Sequence, residues 1–186
     1  MPPQLISGVR LRSPITMKKT ASRITKKEAA DRQLRQAIRL FFGAGDMLAV
    51  HTLAGSSFQL LADLGKRDGV VSRLRHSDRI RPENMTEWVN ALNATQNFLK
   101  HADRDPDEEH EYVEESTLFL LFECVDLAIH LLKWDARERL AFEMWFAFSF
   151  SHLVQPDFMQ SLKARANRAG ADPTNKSLWL QWIGEA

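Results

Sequence analysis

The stretch of the chain best equipped for chemistry is Asn97-Phe98-Leu99-Lys100-His101-Ala102-Asp103-Arg104-Asp105-Pro106-Asp107. Asn97 and His101 are four residues apart, so on a helix both project from one face, with Lys100 and Arg104 within a turn of one or the other. An imidazole beside a hydrogen-bonding amide and two cations suits a phosphodiester. The ring can move a proton while the cations stabilise charge developing on the phosphoryl oxygens. His101 and Asn97 are therefore the candidate catalytic pair, with Lys100, Asp103 and Arg104 as candidate binding residues. The same residues have a plainer reading, because a helix C-terminus favours Lys, His and Arg through its dipole and its free carbonyls. His51 completes the set, either meeting His101 across a helix pair or serving as a hydrogen-bonded core histidine on an apolar stripe.

Other chemistries find little support. His76, His130 and His152 show no ligand spacing with one another or with a carboxylate pair, so no zinc site is expected. Asp103, Asp105, Asp107 and Glu114 imitate the first, third, fifth and twelfth places of a calcium loop. Glu108, however, stands where that loop needs glycine, and Pro106 stiffens the turn. No metal and no cofactor is expected. Cys124 lies in the most apolar stretch and should behave as a small hydrophobe. Trp179 and Trp182 lack interleaved basic residues, which favours core closure or a dimer contact over a base-stacking platform.

The elements that must position these residues read as helices throughout. Thr25-Lys26-Lys27-Glu28 is a capping box opening a helix to about Phe42, which the left-handed tolerance of glycine should end within Gly43-Ala44-Gly45. Asp46 caps a second helix, expected to stop at Gly65, whose Ala49, Ala54, Gly55, Ser56 and Ser57 would let a neighbour approach closely. A third helix should run from Pro82 to about His101. A fourth should begin in the acidic run Asp107 to Glu115 and be the most buried element, being apolar nearly all round. A fifth starts near Ala136, a sixth spans about 157 to 168, and a short segment carries Leu178, Trp179, Trp182 and Ile183. Period-two alternation rich in Val, Ile and Thr is absent. The expectation is an all-α bundle of five to seven helices, with Leu53, Phe58, Leu61, Trp88, Leu92, Leu121, Phe122, Val125, Ile129 and Trp145 in its core.

Composition agrees with one soluble domain. The chain has 186 residues, 44% hydrophobic and 26% charged, which excludes collagen-like and wholly disordered classes. No apolar run approaches the roughly 18 residues of a membrane span. A single cysteine and the lack of an apolar stretch after the first basic residues point to a reducing, cytoplasmic location. Net charge is only +1, yet residues 1 to 39 hold ten basic side chains against Glu28 and Asp31, and residues 103 to 115 hold eight acids against Arg104. Residues 1 to 24 are expected to form a disordered basic arm and 25 to 186 the bundle; Met17-Lys18-Lys19 reads as a translation start inside that arm.

NFLKHADRDPD, together with AVHTLAGSSFQLLADL, resembles a group of bacterial helical proteins carrying NFFKHAD-type strings, near the HEPN-like superfamily. The resemblance covers roughly residues 28 to 150 as an order of helices. It implies a four- or five-helix bundle that forms a homodimer. Many such proteins are metal-independent ribonucleases of toxin or phage-defence systems, and others are inactive binding modules. Their signature is an Arg followed, after four to six residues, by a His. Here the places before His101 hold Ala94, Thr95 and Gln96, leaving Asn97 as the polar partner; Arg104 and His110 fit the spacing, but acids surround them. The expectation is thus a helical module binding a protein or RNA partner, with a ribonuclease as the alternative.

Overall fold

The computed structural model describes residues 21–73, 75–76, 81–101, 103–104, 106–132, 136–153, 155–157, 159–160, 163–164, 172 and 174–184. Within them the chain is all-α, with helices α1 (Lys26–Phe42), α2 (Met47–Asp68), α3 (Met85–Phe98), α4 (Glu114–Leu132), α5 (Arg137–Ser149) and α6 (Lys176–Gly184). Short 3-10 turns occupy Pro82–Asn84 and Ser151–Leu153, and no strand occurs among the described residues. No helix among them is long and apolar enough to cross a membrane. Of the expected basic arm, residues 21–24 are exposed and non-helical, and the remainder lies outside the described residues. The helix expected over 157–168 also falls largely outside them.

Local sequence explains where the first two helices begin. Thr25 Oγ1 accepts the Glu28 N–H at 3.2 Å while the Thr25 N–H donates to Glu28 Oε2 at 2.8 Å, which is the reciprocal capping box. Asp46 Oδ1 accepts the N–H groups of Leu48 and Ala49 at 2.9 and 3.1 Å. Their ends depart from expectation. After α1 the left-handed residue is Ala44, at φ 54°, while Gly43 stays at φ −81°. Gly45 is needed for space instead, since a Cβ there would stand 3.0 Å from the Leu40 carbonyl oxygen. Helix α2 runs through Gly65 to a left-handed Gly69 at φ 75°. Gly65 is buried in the last turn, where the Val70 N–H donates to its carbonyl at 2.9 Å.

The core lies among α1, α2, α4, α5 and α6. Phe41 presents ring contacts to Trp145 at 4.6 Å and Phe142 at 5.6 Å, joining α1 to α5. Small residues bring backbones together as the α2 sequence suggested. Ser57 Oγ donates to the Ala30 carbonyl at 2.9 Å, and Cys124 Sγ reaches the Ala54 carbonyl at 3.4 Å. The buried Glu138 of α5 accepts from Arg35 at 3.0 Å and from Arg39 at 2.8 Å, clamping α5 to α1. Burial pushes this carboxyl up, but the two arginines hold it below the ordinary glutamate value.

Several core expectations need correction. Phe58, Leu61, Leu121, Val125 and Trp145 are buried, and Leu53 is half-buried against the core. Phe122 and Ile129 are partly exposed: Phe122 lies at the rim of the α4–α5 contact, its ring stacked on Phe146 at 4.4 Å, and Ile129 is 50% exposed. Trp88 and Leu92 are only half-buried, and α3 contains no buried residue. Helix α4 begins at Glu114, so only Glu114 and Glu115 of the acidic run occupy its first turn. Helix α3 ends at Phe98, which leaves His101, Asp103 and Arg104 on a turn-rich segment, where the Arg104 N–H donates to the His101 carbonyl at 3.1 Å.

Candidate functional site

Helix α3 approaches α2 where α2 is narrowest. A Cβ at Gly55 would collide with the Gln96 carboxamide, so glycine leaves room at this point for that side chain of α3. Three cavities adjoin there, between α2, α3, the segment 99–113 and the start of α4.

The most open is a groove of about 310 Å³ lined by Ala94, Asn97, Phe98, His101, Arg104, Glu108 and His110. It is bordered by Asn97, His101 and Arg104, although α3 ends at Phe98, so a shared helix face is not what aligns them. Asp103 stays outside, highly exposed, with Oδ1 at 4.0 Å from His101 Nδ1. Lys100 and His51 border a different chamber of about 130 Å³, shared with Gly55, Arg75, Gln96 and Asn97. His51 and His101 therefore do not share a cavity. The histidine nearest in influence to His51 is His110, whose charge helps to lower the His51 pKa.

His51 is 3% exposed. Its Nδ1 lies 2.9 Å from Thr117 Oγ1, which lies 2.7 Å from the Tyr112 hydroxyl, and that hydroxyl donates to the Met47 carbonyl at 3.0 Å. Each hydroxyl has one proton to give. Tyr112 gives its proton to Met47, so Thr117 gives its own to Tyr112, and His51 Nδ1 must carry the proton donated to Thr117. The tautomer is thereby fixed, with Nε2 the bare acceptor. Burial, followed by the neighbouring His110 charge, lowers the His51 pKa to about 4, so the ring is neutral near pH 7. Among the described residues the buried Nε2 has no hydrogen-bond partner, and the same holds for both polar atoms of the Gln96 carboxamide.

The largest of these three cavities, about 430 Å³, is bordered by His51, Phe58, Trp88, Leu92, His110 and Phe119 among others. His110 stands between it and the open groove. Its Nε2 is 2.8 Å from Thr95 Oγ1, and its ring stacks on Phe98 with centroids 5.1 Å apart. In the sequence His110 stands out only by its spacing from Arg104, and Thr117, Tyr112 and Gln96 carry little signal of a role because their relevance depends on tertiary placement. A lone tyrosine just before an apolar helix was the one available signal.

The open groove can offer hydrogen bonds of both signs, but it is a poor cradle for a phosphate chain. Glu108 lines it beside Arg104, and Asp103, Asp107, Glu109 and Glu111 are exposed on the same segment. Among the described residues no group of three or more His, Cys, Asp or Glu side chains is placed to hold a metal ion. Comparison with family models, with curated proteins and with solved structures finds no match.

Proposed function

We propose that the chain is a helical interaction module, a cytoplasmic homodimer that works by binding a protein partner in the toxin or defence setting its HEPN-like resemblance implies. The observation that carries this reading is a row of partly exposed apolar side chains along α4, of which Phe119 and Phe122 also touch the Phe146 ring. Phe119 and Phe122 are each 37% exposed and Ile129 is 50% exposed. At three- and seven-residue steps the three fall on one side of the helix. A cluster of large apolar groups on one face is a common mark of a contact surface. With a net charge of +1, two copies would meet without strong repulsion. A second copy is therefore the first partner this face suits.

Sedimentation of the wild type, Phe122→Asp and Ile129→Asp tests the proposal. The wild type is expected to sediment as a dimer and both variants as monomers, Ile129→Asp with little change in melting temperature and Phe122→Asp with a lower one, because it also loses its stack on Phe146. A monomeric wild type would overturn the dimer. The ribonuclease reading retains one specific observation, that Asn97, His101, Arg104 and His110 line one groove. RNA cleavage that disappears in His101→Ala and His110→Ala would establish it in place of the binding module.

A further inference from the structure

We propose that the cavity between α2, α3 and α4 is a binding site for a small, largely aromatic molecule that carries one hydroxyl or N–H donor, held through His51 Nε2. The argument starts from what the cavity lacks. Its wall is mainly apolar, with Phe58, Trp88, Leu92, Val113, Phe119 and Leu120 on its border. Its volume of about 430 Å³ falls within the range of small-molecule sites. Helix α3, which forms one side, has the apolar pattern of a core helix yet buries no residue completely. Trp88 and Leu92 are half-buried and both border the cavity.

The wall also carries Thr95, His110, Glu111 and Ser116, but its most deeply buried polar group, His51, is committed to one role. The Tyr112–Thr117 relay consumes Nδ1 as a donor and leaves Nε2 as an acceptor with no donor among the described residues. A buried acceptor left unpaired costs free energy that a donor on a ligand recovers. His51 also borders the smaller chamber, where the buried Gln96 carboxamide has no partner among the described residues for either of its polar atoms. Both chambers share His51, Phe58, Leu92 and Leu120, so one molecule can lay its ring among the apolar residues and its polar edge toward His51 and Gln96. A carboxylate placed at Nε2 would set lone pairs against a lone pair, which is why the matching group is a neutral donor.

The probe pair is 2-naphthol and 2-methylnaphthalene, nearly equal in shape and differing in the donor. Binding to the full chain is read by calorimetry and by shifts of the Trp88 indole resonance. The wild type is expected to bind 2-naphthol about tenfold more tightly than the methyl analogue, the advantage of one satisfied buried acceptor. In His51→Asn the side-chain amide can still donate toward Thr117 but nothing stands at the Nε2 position, and the preference should fall to less than about twofold. Ala94→Trp, at a half-buried position on the cavity wall, should abolish binding of both probes even if His51→Asn proves unstable. Equal binding of the two probes by the wild type would reduce the cavity to an apolar sink, and no binding, or binding untouched by Ala94→Trp, would overturn the site.

Discussion

His51 shows how a single side chain can be forced into one protonation state and one tautomer. Its pKa in the folded chain is about 4, lowered by burial and then by His110, against an ordinary value of 6.5. Between those values the unfolded chain takes up a proton that the folded chain refuses, so stability falls as pH drops from 6.5 toward 4 and levels off below. The lowered carboxyl of Glu138 adds its own loss, mainly below about 4.5, while the Glu143 carboxyl, pushed up by burial and then by Asp126, acts above that with the opposite sign, so the histidine effect is read as the difference between the wild type and a His51 variant. Urea unfolding of the wild type should therefore lose about 2 kcal/mol between pH 6.5 and pH 5 on this account, and His51→Asn should lose much less over the same range. Identical slopes in the two proteins would show that the ring titrates normally. The sequence marked His51 as either a core histidine or a partner of His101. Its apolar stripe made burial legible, but the choice of partner was not, because Thr117 and Tyr112 reach it from residues distant in the chain.

At the scale of helices, two glycines in α2 make opposite predictions. At Gly55 the obstacle to a methyl group is the far end of the Gln96 side chain, which can swing away. Replacing glycine by alanine inside a helix also gains up to about 1 kcal/mol. Gly55→Ala should thus leave stability unchanged or slightly raised while displacing Gln96 from its chamber. At Gly65 the obstacle is the Val70 carbonyl oxygen, 2.5 Å from the added Cβ, and backbone cannot step aside without disturbing the Val70 N–H bond to Gly65. Gly65→Ala should cost about 1 to 3 kcal/mol, the usual range for overpacking. Thermal melts of the two variants check the contrast, and equal effects would contradict it. The same residues show what the sequence can express. Capping at Thr25 and Asp46 was readable because the chemistry is local. The end of α2 was misread at Gly65 because a glycine that serves close approach looks the same in sequence as one that serves a left-handed turn. Phe122 and Ile129 were misread as core because periodicity reveals an apolar face without revealing whether another element covers it.

The whole molecule divides into a packed body and a looser flank. Helices α1, α2, α4 and α5 hold interlocking buried residues, and Glu138 and Ser57 tie them across the core. Helix α3 buries no residue, borders cavities along its inner side, and enters from a short 3-10 turn with no side-chain cap. A helix of 14 residues held in this way cannot draw stability from propensity alone, and its ties include the apolar contact around Trp88 and Leu92, the His110–Thr95 bond, the Phe98–His110 stack and a long bond from Arg75 to Asn93. It should therefore open without global unfolding, while the body exchanges its amide protons only when the whole fold is lost. Hydrogen exchange followed by mass spectrometry should show the amides of α3 exchanging at least about a hundredfold faster than those in the middle of α2 and α4, a gap of roughly 3 kcal/mol in opening free energy. The far end of the cavity provides the contrast, since Tyr112 is fixed to Met47 and Thr117, and the start of α4 should stay protected with the body. Were α3 to exchange as slowly as α2 and α4, it would belong to the same cooperative unit and the cavity would be a rigid void. Fast exchange confined to α3 would instead identify the wall that has to move for anything to enter.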